Sequence, residues 1–186
     1  MRVISGDKKG HRLKAPKGID VRPTEDKIKE SIFNIIRPLQ MESIVLDLFA
    51  GSGSIGIEFL SRGAKKAYFV DASQKSIEAI KENINHTKLE EKSIVLKIDA
   101  SRALDKFSRD NLKFDYIYLD PPFRHTELLY KVVSSIDKYD LLKSNGVLLI
   151  EHEKELNLEE NINNLNKYDF RNYGSKSISF YKKHEV

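Results

Sequence analysis

The sequence has no cysteine, which excludes disulfides and thiolate metal sites. Its five histidines, His11, His86, His125, His152 and His184, show no ligand spacing, and no metal site is expected. No apolar run approaches the roughly 20 residues that a helical membrane span needs. Met1 to Lys14 lacks the apolar core of a secretory signal. Internal repeats and low-complexity tracts are also missing. What remains is 186 residues, 40% hydrophobic and 32% charged, too apolar for a disordered chain and too charged for a membrane-embedded one. That length makes one sizeable domain and is short for two ordinary ones. A cytoplasmic protein without a membrane partner is expected, and a monomer, since no exposed apolar stripe is evident.

The net charge of +4 is unevenly spread. Residues 1–40 carry ten Lys/Arg against five Asp/Glu, whereas residues 41–186 carry 22 against 23. Before residue 20, Arg2, Lys8, Lys9, Arg12, Lys14 and Lys17 face a single acid, Asp7. A local basic patch suits a polyanion such as nucleic acid, although short basic termini often only solubilise.

The chain opens with two short strand-like stretches, Arg2 to Ser5 and His11 to Lys14, around a glycine-bearing turn. A helix from Thr24 to Arg37 follows, with Thr24 as cap and Ile28, Ile32, Ile35, Ile36 and Leu39 on one face. From Ser43 strands and helices alternate. Strands are expected at Ile44 to Phe49, Lys66 to Asp71, Ser93 to Ile98, Phe114 to Leu119 and Val147 to Ile150, with helices between them. Alternation of this kind predicts an α/β fold with a doubly wound, mostly parallel sheet. Lys167 to Tyr173 and Ser177 to Lys182 flank Gly174 and predict a closing antiparallel hairpin. Two units are expected, a basic hairpin and helix over residues 1–40 packed on a main domain over residues 41–186.

Ligands bind at the carboxyl ends of strands in such a sheet, and the chemically unusual residues cluster there. After the first strand come Asp47, Phe49 and a G-x-G-x-x-G pattern at Gly51, Gly53 and Gly56. Asp71 lies twenty residues after Gly51, a spacing that suits a carboxylate accepting both ribose hydroxyl protons. Together these indicate an adenosine-type cofactor. Asp47, four residues before Gly51, would repel a pyrophosphate but suits an ammonium, which favours S-adenosylmethionine over a nicotinamide dinucleotide. Asp99, after the third strand, can accept from an adenine amino group, cap the next helix, or both.

The fourth strand ends in Asp120-Pro121-Pro122-Phe123. An exocyclic amine on a base is a poor nucleophile because its lone pair is delocalised into the ring. The Asp120 carboxylate and the Pro121 carbonyl, held together, can take both amine protons and push the nitrogen towards tetrahedral geometry. The two prolines stiffen the loop, and Phe123 offers a stacking face for a base drawn out of its helix. Glu151 and His152 end the fifth strand at the same rim, without an assigned role.

The glycine turn after Asp47 and the Asp-Pro-Pro-Phe motif resemble those of amino methyltransferases. More closely, the chain resembles the RsmD family, which methylates the exocyclic N2 of a guanine in bacterial 16S ribosomal RNA. The likeness is carried by Ile4, Gly6, Gly10, Arg12 and Leu13, by Arg22-Pro23-Thr24 with Lys29 to Ile35, and by Leu46 to Gly53 with Gly56, Glu58 and Leu60 to Ala64. The resemblance implies a Rossmann-like class I methyltransferase fold and binding of S-adenosylmethionine by Asp47, Phe49, Gly51, Gly53, Asp71 and Asp99. It implies catalytic roles for Asp120, Pro121, Pro122 and Phe123. It further implies that Arg2, Lys8, Lys9, Arg12, Arg22 and Thr24 contact 16S RNA, free or within the 30S subunit or its assembly intermediates. Asp71 stands where the family often has Glu, Phe123 where Tyr is commoner, and His11 where Arg is frequent. The motif also serves adenine-N6 methylation of DNA, which stays open as the alternative, with an NAD(P)-dependent oxidoreductase behind it.

Overall fold

Aliphatic and β-branched runs of five or six residues are long enough to cross a sheet buried on both faces. The chain supplies four, β1 (Ile44–Leu48), β2 (Lys66–Asp71), β3 (Ser93–Lys97) and β4 (Phe114–Leu119). A longer β5 (Leu142–Glu153) follows, then β6 (Asn161–Ile162), β7 (Leu165–Tyr173) and β8 (Lys176–Lys183). The computed structural model describes residues 1–18, 26–122 and 126–183. All eight strands form one sheet in the order β3-β2-β1-β4-β5-β8-β7-β6. The first five run parallel, and β8, β7 and β6 add antiparallel. The doubly wound sheet and its closing hairpin are therefore as the alternation predicts.

Strand order reverses between β1 and β4, so their carboxyl ends part and leave a crevice. The register is level there. Leu48 pairs with Val70 on one side and Leu119 on the other, and Leu119 pairs with Ile150. Phe49, Asp71, Asp120 and Glu151 each come next in sequence and form one rim.

Alternating side chains feed two cores. Val45, Tyr116, Tyr118, Leu149 and Phe180 face α1 (Asp26–Ile35), α2 (Ser54–Ser61) and α3 (Gln74–Thr87). Leu46, Leu48, Ile117, Leu119 and Ile150 face α4 (Ala100–Arg109) and α5 (Thr126–Lys138). Ser73 caps α3, its side chain accepting from the Ser76 amide, and Asp99 caps α4 through the Arg102 amide.

Three details differ from expectation. Strand β5 begins at Leu142, which pairs with Phe114 before the register shifts to Val147 opposite Tyr116. The polar stretch Lys143 to Asn145 occupies that irregularity and hides the strand from a periodicity reading. The N-terminal stretches form only one bridge, Arg2 with Arg12, completed by Val3 N–H to His11 O and Gly10 N–H to Val3 O. Strand β6, two residues long, carries too little pattern to read. Arg22 and Thr24, the latter the expected cap of the first helix, lie outside the described residues, as does Phe123.

Candidate active site

A cavity of about 860 Å³ opens at the crevice between β1 and β4, within the size range of small-molecule sites. Of the site residues expected from the sequence, Phe49, Asp71, Asp99, Asp120, Pro121 and Pro122 line it.

The glycine turn fixes one wall. Phe49, Gly51 and Gly53 have φ of 68°, 57° and 75°, in the left-handed region. That costs glycine little and strains phenylalanine, which lines the cavity. Gly56 serves packing, because a Cβ there would lie 2.3 Å from the Phe69 ring. The three glycine amides of the turn already have partners. Gly51 N–H donates to Asp71 Oδ2 at 2.9 Å, Gly53 N–H to Ala50 O at 2.7 Å, and Gly56 N–H to Asp47 Oδ2 at 3.0 Å. Amides engaged in this way are not free to cradle a pyrophosphate.

Asp71 also accepts from the Ser73 amide through Oδ1 at 2.8 Å. Each of its oxygens keeps a lone pair for a ligand hydroxyl. Asp99 caps α4 and also lines the cavity. Asp47 is placed otherwise than a direct ligand contact requires. It is buried behind the turn and does not line the cavity. Burial, with Asp120 and Asp71 nearby, pushes its carboxyl up to about 8, against the Gly56 hydrogen bond. Asp47 therefore braces the turn, accepting from the Gly56 amide.

Burial and the nearby Glu151 raise the Asp120 carboxyl to about 7, and Lys176 opposes them. Two groups here were missed as site residues in the sequence reading. Lys176, at the start of β8, lines the cavity together with Ser175 and forms an ion pair with Glu151. Glu151, whose side chain is wholly buried, also accepts from the Tyr118 hydroxyl. A glutamate at a strand end was visible in the sequence, but its lysine comes from a strand 25 residues on. His152, on the opposite face, bonds Ser179 Oγ and stacks on Phe170.

The basic N-terminal segment runs along α2, outside the cavity. Met1 Sδ meets Ser52 Oγ at 3.4 Å, and Asn83 Nδ2 donates to both Ser52 O and Lys14 O at 2.9 Å. At the other end, Asp7 N–H reaches Ser61 O and Lys8 N–H reaches Ser61 Oγ. Arg2 and Arg12, side by side at the bridge, are thus nearer the glycine turn than Lys8 and Lys9. Arg2, Lys9 and Arg12 are exposed and Lys8 half-buried, with Arg2 paired to Asp26 at 3.2 Å.

A family model described as Conserved hypothetical protein 95 matches residues 1–182. Ribosomal RNA small subunit methyltransferase D of Haemophilus influenzae is 34% identical over 83% of this chain and 80% of its own length. The chain belongs to the RsmD family. The Bacillus subtilis relative YlbH is 43% identical over 98% of this chain and 99% of its own length. Among solved structures, yhhF of Escherichia coli superposes with a TM-score of 0.85 at 26% identity, covering 98% of this chain and 97% of that one. An RsmD-family chain with an acid-walled cavity and an Asp-Pro-Pro motif at its rim is equipped for amino-group chemistry. Among the described residues, no helix is long and apolar enough to cross a membrane.

Proposed function

We propose that this protein is an S-adenosylmethionine-dependent methyltransferase acting on the exocyclic N2 amine of a guanine in small-subunit (16S) ribosomal RNA. The observation that carries the reading is the placement of Asp120 and Pro121 on the wall of the cavity that Asp71, Asp99 and Phe49 also line, in a chain of the RsmD family. Asp71, Asp99 and Phe49 hold the adenosine portion, and Asp47 braces the turn. The engaged amides of that turn and the acidic walls suit a cofactor that is cationic and lacks phosphate. When bound, S-adenosylmethionine supplies an electrophilic methyl group on a sulfonium centre.

The remaining work falls to the chain. Asp120 and the Pro121 carbonyl accept the two amine hydrogens, orient the nitrogen lone pair and leave Asp120 placed to take the proton released. The loop prolines hold these acceptors before substrate arrives, and Phe123 stacks on the base. The acceptor base is single-stranded or flipped, since its amine is otherwise paired. Arg2 and Arg12 contact the phosphate backbone nearest the cavity, with Lys8 and Lys9 further along α2 and Arg22 and Thr24 by the transferred group. The substrate is free 16S RNA, the 30S particle or an assembly intermediate, and the enzyme is a cytoplasmic monomer.

The test offers unmodified 16S RNA, 30S particles and DNA side by side with methyl-labelled S-adenosylmethionine, followed by nucleoside analysis. Label is expected in N2-methylguanosine from RNA or particles, and the better substrate identifies the form recognised. Label in DNA adenine would keep the chemistry and overturn the acceptor. Absence of label in every substrate would overturn both.

A further inference from the structure

The turn joining β7 to β8 delivers a cation to a site otherwise walled by acids. Gly174, at a φ of 64°, turns the chain back so that Lys176 pairs in register with Glu153 at the end of β5. Among the described residues lining the cavity, Lys176 is the single Lys or Arg, and Asp71, Asp99 and Asp120 are the acids. Asp47, Tyr118, Glu151 and Lys176 share strand parity with Val45, Tyr116, Leu149 and Ile178, so all four lie on the α1–α3 face.

The charges around Asp120 come from every neighbouring strand. Glu151 faces it from β5, Asp47 from β1 and Lys176 from β8, while Tyr118 precedes it on β4 and Asp71 lies across the crevice on β2. Carboxylates crowded in a low dielectric cannot all ionise without a counter-charge. Lys176 is fixed for that purpose. Its side chain is 15% exposed and its ammonium is held by Glu151, which the Tyr118 hydroxyl steadies from the other side.

We propose that Lys176, anchored on Glu151, is a positioning residue that favours the carboxylate form of Asp120 against the acids around it and so keeps more of it ready to accept amine protons. This rests on the role given to Asp120 above. Without the ammonium, Asp120 is left among acids only, retains its proton to higher pH, and in that form can no longer take up the proton that the amine releases.

The test follows the Asp120 carboxyl directly, by carbon-13 NMR of aspartate-labelled protein, in the wild type, Lys176→Met and Lys176→Arg. Asp120→Asn assigns the signal. In Lys176→Met the titration midpoint is expected to rise by about one pH unit or more, equivalent to a roughly tenfold loss of carboxylate at pH values below both midpoints. Lys176→Arg is expected to return it towards the wild-type position. In single-turnover methyl transfer to 16S RNA, the rising limb of the pH profile should move by the same amount, with the rate recovered at high pH. A midpoint that stays put in Lys176→Met, or moves equally in Lys176→Arg, would overturn the proposal. So would a rate lowered uniformly at every pH. If the midpoint moves as expected but the wild type labels no guanine in RNA, the link from Lys176 to Asp120 stands and the acceptor assignment falls.

Discussion

Asp120 is caught between burial and Glu151, which favour its protonated form, and Lys176, which favours the carboxylate. Replacing it by Asn keeps shape and one acceptor oxygen but removes the base. Asp120→Asn is therefore expected to slow single-turnover methyl transfer by roughly 10²- to 10³-fold. Cofactor affinity, measured calorimetrically, should change by no more than about threefold, because Asp71, Asp99 and Phe49 are untouched. Equal losses in both would mean that Asp120 shapes the cavity and does no separate chemistry. Residues of this kind were readable in the sequence because each sits just past a strand end, where the fold class places ligands. Lys176 was unreadable for the converse reason. Its position depends on the pairing of β8 with β5, and nothing local to Ser175-Lys176-Ser177 announces it.

Glu58, in the middle of α2, is buried and holds several parts of the chain at once. It accepts from the amides of Ile4 and Ser5 at 2.8 and 3.0 Å, from Arg62 Nε at 2.8 Å, and pairs with Lys29 Nζ of α1 at 3.7 Å. Lys29 in turn donates to Arg2 O, and burial lowers its pKa in spite of Glu58. One carboxylate thus fastens both the N-terminal segment and the first helix to the main sheet. Glu58→Ala leaves an uncompensated buried ammonium and two amides without acceptors. A loss of about 3–5 kcal/mol in urea unfolding is expected, with the Ile4 and Ser5 amides losing hydrogen-exchange protection first. An unchanged midpoint with those amides still protected would show the clasp to be dispensable. Elements with strong periodicity, α3 and β4 among them, were legible. The clasp was not, since a glutamate in an apolar helix reads as solvent-facing until its four partners are seen. The start of β5 was hidden because polar residues fill its bulge.

Across the whole molecule, the same acid-rich rim that suits a cationic cofactor burdens the empty protein. Asp47 and Asp120 have carboxyls raised to about 8 and about 7, far above the unfolded value near 4. Between those limits the folded chain binds more protons than the unfolded one. Stability from these groups is therefore fully present below about pH 4 and is lost as pH rises through their folded values. The slope is at most about 1.4 kcal/mol per pH unit for each proton so held. A cationic ligand in the cavity stabilises the ionised forms, so its binding releases protons and tightens with rising pH. Thermal unfolding of the empty protein between pH 5 and 8 is expected to show a falling transition temperature. Asp47→Asn should flatten that fall, since Asn can still accept from the Gly56 amide through its side-chain oxygen. Saturating S-adenosylmethionine should raise the transition temperature more at pH 8 than at pH 6. Its neutral analogue S-adenosylhomocysteine lacks the sulfonium charge and should show a weaker pH dependence. A cofactor-induced shift independent of pH, or equal for the two ligands, would mean that the buried carboxylates hold the turn together without reading the cofactor's charge.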